Sequence, residues 1–309
     1  MLAEAISRRQ FLFRAGALSA LAAAGMPALA GGKAKKLYTI GCSAITWGGN
    51  DAQAIQDIAS LGLRGIQLRA NSYKDYKDKP DELKALLGQH KLQLGMFSSG
   101  NVNLDVPDGQ AQLETHVNHA KFVKALGGKA IQLTNSSRPK DRMPTPEELK
   151  KYAQLMNEVG KRTADVGVQA AYHNHMHQLG ETPEEVDAIM QSLDTRYVKL
   201  LLDVAHYWQG GGDPAKAVRQ YKDSLYAMHL KDVARPHPEK TDDPKSYQFV
   251  ELGQGKLDLP AVFAAMDEVK FKGWGIIELD SVPDKARTAL QCNRTSVDYL
   301  AQKIGLKSS

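Results

Sequence analysis

The regular alternation of short apolar runs with longer amphipathic segments is the feature that most restricts the fold of this chain. Eight apolar runs occur between residues 37 and 279, and a segment with helical periodicity follows each of them. Strands that are apolar through most of their length are buried on both faces, as in parallel sheets covered by helices. The strands predicted from these runs span residues 37–42, 65–68, 93–97, 130–133, 169–173, 199–203, 226–230 and 275–279.

The predicted helices begin and end at residues that favour helix termini. Thr145 and Thr182 each precede a proline and two glutamates, which is an N-cap followed by an acidic first turn. Gly62, Gly127 and Gly167 stand where helices are expected to stop. Eight strand–helix units without a long linker predict a single-domain (β/α)8 TIM barrel. The predicted helices span residues 51–61, 80–90, 111–126, 145–166, 182–193, 213–221, 259–269 and 284–304.

The N-terminal segment carries an export pattern instead of a strand–helix unit. Arg8 and Arg9 lie in a Ser-Arg-Arg-Gln-Phe-Leu stretch, and the weakly apolar run at 15–24 is too short to span a membrane. Ala28-Leu29-Ala30 is a small-residue cleavage site. We therefore expect residues 1–30 to be a cleaved twin-arginine signal peptide. The barrel of residues 31–309 is then expected in the periplasm, with no membrane contact after cleavage.

Net charge and cysteine content narrow the classes of partner. Residues 1–30 hold three arginines and one glutamate, so their removal lowers the formal charge of +5 to +3. This small charge argues against a nucleic-acid partner. Two cysteines, Cys42 and Cys292, either pair or remain as buried thiols, and no cysteine zinc motif is present. The oligomeric state is left open.

Four consecutive predicted strands end in residues that bind metals. The active site of such barrels lies at the carboxyl ends of the strands. There the fifth to eighth strands carry His173, Asp203, His229 and Glu278. Each one alone could be an ordinary structural residue, but four at equivalent positions predict a shared cation, because an unpaired buried charge costs several kcal/mol. Mixed imidazole and carboxylate ligands favour one divalent ion of Mn, Co, Fe, Ni or Zn over Mg or Ca.

The same stretches resemble the xylose isomerase-like TIM-barrel superfamily, over roughly residues 36–304. The resemblance is carried by His-Asn-His at 173–175, Leu-Asp-x-x-His at 202–206, His-Leu-Lys-Asp at 229–232 and Ile-Glu at 277–278, with Gly-Ile-Gln-Leu-Arg at 65–69 and Leu-Gly-Gln-Gly at 252–255. The superfamily includes sugar isomerases, ketose 3-epimerases, inosose dehydratases and nucleases of the endonuclease IV type. The resemblance implies an enzyme that uses a divalent metal on sugar oxygens.

Two positions depart from the pattern of the superfamily. His173 stands where the ketose 3-epimerases have a glutamate, so only Glu278 remains of the two carboxylates that exchange protons in those enzymes. Gln67 stands where many relatives have a glutamate. A shell of two carboxylates and two neutral imidazoles balances a dication, which should make the metal a stronger Lewis acid. The departure at His173 favours a base other than a metal-bound carboxylate.

The expected catalytic residues surround the predicted ligands. His206, three residues beyond Asp203, is the first choice for the base, and His175, on the same strand face as His173, is the second. Lys231 either stabilises a substrate oxyanion or is a solvated partner of Asp232. The predicted substrate contacts are Arg69 for an oxygen or a carboxylate, and Trp47, Tyr207 and Trp208 as sugar-stacking walls or ordinary loop packing.

The sequence thus predicts a metal-dependent enzyme that removes an α-proton from a carbohydrate and stabilises the enolate. Reprotonation would give isomerisation or epimerisation, and loss of a β-substituent would make the enzyme a dehydratase or keto-glycoside lyase. Export favours a free sugar, glycoside or keto-sugar over a sugar phosphate. One alternative is a non-catalytic sugar-binding barrel. The other is an endonuclease IV-like nuclease, which would need additional histidines after the second and third strands.

Overall fold

A computed structural model describes residues 36–306, so the predicted signal peptide lies outside the described residues. From Leu37 onward, eight parallel strands close into a barrel in which each strand pairs with its neighbours in chain order and the last pairs with the first. The predicted (β/α)8 barrel is confirmed. Its strands are β1 (Thr39–Ser43), β2 (Gly65–Arg69), β3 (Gln93–Asn101), β4 (Ala130–Thr134), β5 (Gln169–His173), β6 (Val198–Asp203), β7 (Leu225–Leu230) and β10 (Trp274–Ile277).

Helices connect the strands, and those at the predicted positions start where the caps indicated. The hydroxyl of Thr145 accepts the backbone N–H of Glu148, and that of Thr182 accepts the N–H of Glu185. No helix between residues 36 and 306 is long and apolar enough to cross a membrane. The helices are α1 (Asp51–Ser60), α2 (Ala70–Tyr76), α3 (Pro80–Gln89), α4 (Gly109–Ala125), α5 (Pro146–Val166), α6 (Pro183–Ser192), α7 (Val204–Gln209), α8 (Pro214–Gln220), α9 (Leu259–Glu268) and α10 (Ala289–Tyr299), with a 3-10 turn (Ala44–Trp47) and a terminal π turn (Leu300–Ile304).

A short antiparallel hairpin after β7 is absent from the sequence-based prediction. Its strands β8 (Asp232–Ala234) and β9 (Gln248–Val250) have only three residues each, too few to show a period. The carboxylate of Asp232 accepts backbone N–H groups of Val233, Gly253, Gly255 and Leu257. Asp232 therefore anchors the hairpin at the exit of β7.

The lower half of the barrel is filled with side chains. The ring of Trp274 lies at the lower end of the barrel, where the strands begin. It packs so closely on Gly65 and Gly95 that a Cβ atom at these positions would lie 2.2 or 2.8 Å from the ring. Only glycine fits at those two positions. An apolar layer lies inside the barrel, formed by Met96, Ala130, Ala171, Leu201, Ala227 and Ile276. This layer separates the space at the carboxyl ends of the strands from the opposite end of the barrel.

The two cysteines are free buried thiols, which decides between the two alternatives in the sequence. Cys42 lies on β1, fully buried, and its thiol donates to the Oδ1 atom of Asn293 over 3.3 Å.

Two buried histidines of α4 share one serine hydroxyl. The Oγ atom of Ser99 lies 2.7 Å from Nδ1 of His116 and 2.8 Å from Nδ1 of His119. Since Nε2 of His116 donates to the carbonyl of Asn101 at 3.2 Å, its Nδ1 accepts the Ser99 proton, and His119 then donates to Ser99. Burial, with a smaller contribution from His119, lowers the pKa of His116 to about 4.

This cluster predicts an acid-sensitive contribution to stability. In the unfolded chain a histidine has a pKa near ~6.5, so protonation favours unfolding as the pH falls from there towards the folded value. Between pH 7 and pH 5 we expect the free energy of unfolding of the wild type to fall by about 2 kcal/mol more than that of His116→Gln. Urea denaturation at both pH values measures this difference. The exposed His177→Gln variant should behave like the wild type, and equal losses in wild type and His116→Gln would contradict the assignment.

Candidate functional site

The strand register brings the four predicted metal ligands to one point inside the barrel. Asp203, the last residue of β6, pairs with His229 on β7. His229 also pairs with Ile276, two residues before Glu278. His173 ends β5 opposite Leu201, two residues before Asp203. Because side chains two residues apart share a strand face, all four point into the barrel.

The spacing of the four ligand atoms fits a divalent cation. Nε2 of His173 lies 3.0 Å from Nδ1 of His229 and 3.5 Å from Oδ2 of Asp203. Oε1 of Glu278 lies 3.1 Å from Nδ1 of His229, and all four atoms lie within 4.8 Å of one another. A tetrahedral ion with bonds of about 2.1 Å separates its ligand atoms by about 3.4 Å. The three measured separations of 3.0 to 3.5 Å are close to this value, so the four side chains are suited to holding such an ion.

One oxygen of the cluster lacks a hydrogen bond. Oδ1 of the fully buried Asp203 accepts the N–H groups of Ala205 and His206, both at 2.9 Å. Oδ2 accepts no hydrogen bond from residues 36–306, although nitrogens of His173 and Lys231 lie 3.5 and 3.3 Å away. A buried carboxylate oxygen without a partner is costly, so the chemistry of the site is that of a cation-binding centre.

The electrostatics of the cluster favour an added positive charge. Burial alone would raise the pKa of Asp203 and Glu278, but neighbouring histidines and Lys231 outweigh burial and hold both well below their usual range. Burial lowers the pKa of His229, yet the charges of Glu278 and Asp203 dominate and raise it to about 9. Burial lowers the pKa of His173 to about 4. Two ionised carboxylates thus face one imidazole that attracts a proton and one that stays neutral.

Lys231 lies inside this cluster and is not a solvated side chain. It is 1% exposed, and its Nζ lies 2.9 Å from Oε1 of Glu278 and 2.8 Å from Oδ1 of Asp280. The ring centroid of Phe249, on the β8–β9 hairpin, lies 4.7 Å from Nζ. The alternative in which Lys231 pairs with Asp232 is wrong, because backbone N–H groups hold that carboxylate.

The two candidate bases form a stacked pair in which only His175 faces the cavity. Their ring centroids are 3.8 Å apart, and His206 is 1% exposed, with Nε2 3.4 Å from Nζ of Lys231. Nδ1 of His175 lies 2.6 Å from the carbonyl of Met176 and donates to it, so Nε2 keeps the lone pair. Burial lowers the pKa of His175, which favours this neutral form. The structure thus favours His175 as the base, where the sequence favoured His206.

A half-open cavity of about 250 Å³ lies directly above the cluster. Its volume is below the ~300–1,000 Å³ of pockets that take drug-sized ligands, and it suits a molecule of monosaccharide size. Arg69 lines it, as predicted for a substrate contact. Apart from Ile45 and Gly100 its lining residues have polar side chains, and they are Ser43, Ile45, Gln67, Arg69, Ser98, Gly100, Asn101, Gln132, Thr134, His173, His175, Lys231, Glu278 and Asp280.

The three aromatic residues predicted as sugar-stacking walls do not line this cavity. The indole N–H of Trp47 donates to Asp57 at 2.7 Å. Tyr207 is 4% exposed, with its ring where a Cβ on Gly212 would be 2.2 Å away, and Trp208 packs on the hydrophobic core. The α7 helix starts directly after Asp203 and carries the last two away from the cavity. The contacts of these three residues are those of ordinary packing.

The side chain of Asn174 links β5 to β6, the strands that carry His173 and Asp203. Its Oδ1 accepts the N–H of Asp203 at 2.8 Å, and its Nδ2 donates to the Asp203 carbonyl at 3.2 Å. The His-Asn-His motif is visible in the sequence, but this role of Asn174 depends on the position of the neighbouring strand and is not. The two bonds to one backbone unit fix the spacing between His173 and Asp203.

A family model described as a xylose isomerase-like TIM barrel matches residues 55–296. The chain belongs to this family. The resemblance seen in the sequence motifs is thereby confirmed.

Named relatives agree with this assignment. An inosose dehydratase from Clostridium botulinum is 27% identical over 253 residues, which is 76% of this chain and 83% of that protein. The structure of the IolI protein with a bound zinc atom has a TM-score of 0.71 at 20% identity, covering 85% of this chain and 96% of that one. The probable 3-DHS dehydratase AsbF of Bacillus anthracis has a TM-score of 0.70 at 15% identity, covering 86% and 99%. The prediction that the chain is an enzyme is confirmed.

The geometry of the cluster predicts which variants lose metal. The purified protein should hold about one divalent transition-metal ion per chain, and Asp203→Ala and His229→Ala should each weaken its binding by more than ~100-fold, beyond the ~10–100-fold typical of residues behind the ligands. Elemental analysis and competition with a chelator measure occupancy and affinity. His206→Gln is the matched control, since His206 neighbours the cluster without being one of the four ligands. Full occupancy in either alanine variant would contradict the assignment.

Proposed function

We propose that this protein is a metal-dependent dehydratase that removes water from a small keto-sugar or keto-cyclitol. The observation that carries the proposal is that one polar cavity of about 250 Å³ is bordered both by the ligand cluster and by an imidazole with a free lone pair. The sequence similarity to inosose dehydratases over three quarters of the chain supports this reaction class.

The metal would supply Lewis-acid stabilisation of the negative charge that develops on the substrate carbonyl oxygen. His173, Asp203, His229 and Glu278 would hold it, and the bound zinc of the structurally similar IolI protein supports a zinc-like ion. The buried ammonium of Lys231 lies on the same side of the cavity and adds a fixed positive charge near this oxygen.

His175 would carry the proton through the reaction. Its Nε2 lone pair takes the proton α to the carbonyl, which leaves an enolate and an imidazolium. The enolate then expels the β-hydroxyl, and the imidazolium returns its proton to that hydroxyl. Water leaves, the product is an unsaturated ketone, and His175 is again neutral.

The residue at position 173 favours elimination over epimerisation. An epimerase needs a second proton-exchanging group on the opposite face of the sugar, and His173 is committed to the ligand cluster with a carboxylate 3.5 Å from its Nε2. The opposite wall, from β2 to β4, offers hydroxyl, amide and guanidinium groups, as in Ser98, Gln132 and Arg69. Amide and guanidinium groups bind oxygens without exchanging protons at neutral pH.

We also propose that the enzyme works outside the cytoplasm. The twin-arginine pattern at residues 7–12 and the cleavage site ending at Ala30 support this location. The twin-arginine route exports folded proteins, so the metal can be bound before export. An unphosphorylated substrate follows from the location.

The proposal is tested by incubating the metal-loaded protein with inososes and 3-keto-glycosides in deuterated water. We expect release of water from an inosose, seen by NMR and by the absorbance of an unsaturated ketone, whereas release of the aglycone from a 3-keto-glycoside would make the protein a keto-glycoside lyase. His175→Gln should lower turnover by at least ~100-fold with unchanged metal content, the size expected for loss of a general base.

A control variant and three other results decide between the possible functions. His206→Gln is the matched variant and should lose less activity than His175→Gln, because His206 does not line the cavity. Near-native turnover in His175→Gln would remove it as the base. Deuterium incorporation without loss of water would make the protein an isomerase, and neither exchange nor elimination on any compound would favour a sugar-binding protein.

A further inference from the structure

Two buried glutamines connect the ligand cluster to the opposite wall of the cavity. Gln67 on β2 is 1% exposed and Gln132 on β4 is 5% exposed. Oε1 of Gln67 lies 2.9 Å from Nε2 of His229, and Nε2 of Gln67 lies 2.8 Å from Oε1 of Gln132. The three side chains form one continuous row of hydrogen bonds across the barrel.

The proton positions in this row follow from the direction that His229 faces. Its Nδ1 points at the cluster, 3.0 Å from His173 and 3.1 Å from Glu278, so a cation can be bound only through the Nδ1 lone pair. Nε2 must then carry a hydrogen, and only the carbonyl oxygen of Gln67 can accept it. An imidazole that carries both protons requires the same partner. The Gln67 amide therefore has one allowed orientation.

The orientation of Gln67 determines that of Gln132. The amino group of Gln67 must face Gln132, so the carbonyl oxygen of Gln132 accepts from it. The amino group of Gln132 takes no part in this bond, and within residues 36–306 it donates no hydrogen bond. Gln132 lines the cavity. Buried polar groups in proteins are usually hydrogen-bonded, so this amino group is available to donate to a ligand in the cavity.

We infer that Gln132 is a substrate-binding residue that donates a hydrogen bond to an acceptor oxygen of the substrate, and that Gln67 positions it by linking it to the metal ligand His229. The inference rests on the proposed function in taking His229 as a metal ligand. The amino group of Gln132 would favour a substrate that places a carbonyl or hydroxyl oxygen next to β4. Gln67 has a second effect, because its carbonyl holds His229 in the tautomer that binds metal.

The inference is tested first on the metal, without any substrate. Gln67→Met removes the acceptor for His229 and should weaken Co²⁺ binding to the metal-free protein by ~10–100-fold, as measured by the Co²⁺ absorption spectrum. Gln67→Glu keeps an acceptor and should bind Co²⁺ at least as tightly as the wild type. In the zinc-loaded wild type labelled with ¹⁵N-histidine, the Nε2–H of His229 should give a slowly exchanging NMR signal that is lost in Gln67→Met.

The second test concerns the direction of Gln132. In Gln67→Glu the carboxylate offers no donor, so Gln132 must turn its amino group to the carboxylate and its carbonyl to the cavity. Gln132→Glu also places an acceptor there. Both variants should bind metal normally but raise the KM for an inosose by at least ~10-fold, because neither presents an N–H donor to the acceptor oxygen of the substrate. Gln93→Glu, exposed and at the other end of the barrel, adds the same charge and should leave KM unchanged.

The outcomes separate this inference from the proposed function. A Gln67→Glu protein that loses Co²⁺ as Gln67→Met does, or a missing His229 Nε2–H signal in the wild type, would overturn the proton assignment. Normal KM in Gln132→Glu would overturn the role of Gln132. If the wild type converts no inosose, the proposed function fails. The inference can still be tested, because calorimetric titration with an inosose compares the affinities of the zinc-loaded wild type and variants, and the NMR signal of His229 does not require turnover.

Discussion

Two buried carboxylates at the floor of the cavity are the constraint on which the rest of the site depends. Asp203 and Glu278 are 0% and 6% exposed and ionised, and one oxygen of Asp203 has no hydrogen bond within residues 36–306. Lys231 adds a positive charge, but Asp280 lies 2.8 Å from it and offsets that charge. When His229 is neutral, as a metal ligand must be, two negative charges remain, and removal of charge from water is costly unless it is paired. A divalent cation balances them.

The fold holds this charged cluster together through its neighbours and not only through the four ligands. Asn174 binds both backbone groups of Asp203 and fixes the distance between β5 and β6. Gln67 fixes the ring of His229, and the backbone N–H groups of Ala205 and His206 hold one oxygen of Asp203. These contacts restrict the rotation of the ligands before a metal binds, which lowers the cost of assembling the site. The apolar layer below separates the cluster from the opposite end of the barrel.

The parts of this site that lie in the barrel strands could be predicted from sequence, because the strand period and the ends of apolar runs are local signals. Those signals place His173, Asp203, His229 and Glu278 on one rim. Features that depend on the path of the chain after a strand could not be predicted. The α7 turn carries Tyr207 into the core, and the three-residue strand β9 brings Phe249 over Lys231. The order of His175 and His206 depends on a ring stack, which no sequence spacing encodes.

Anomalous X-ray diffraction from crystals of the purified protein shows directly whether these four side chains bind a metal ion. Data collected on both sides of the absorption edge of the bound metal locate and identify the ion. We expect one anomalous peak inside the barrel, within about 2.3 Å of Nε2 of His173, Nδ1 of His229 and one oxygen each of Asp203 and Glu278. A metal peak elsewhere, with the side chains of Asp203 and Glu278 neutralised only by protein groups, would contradict it.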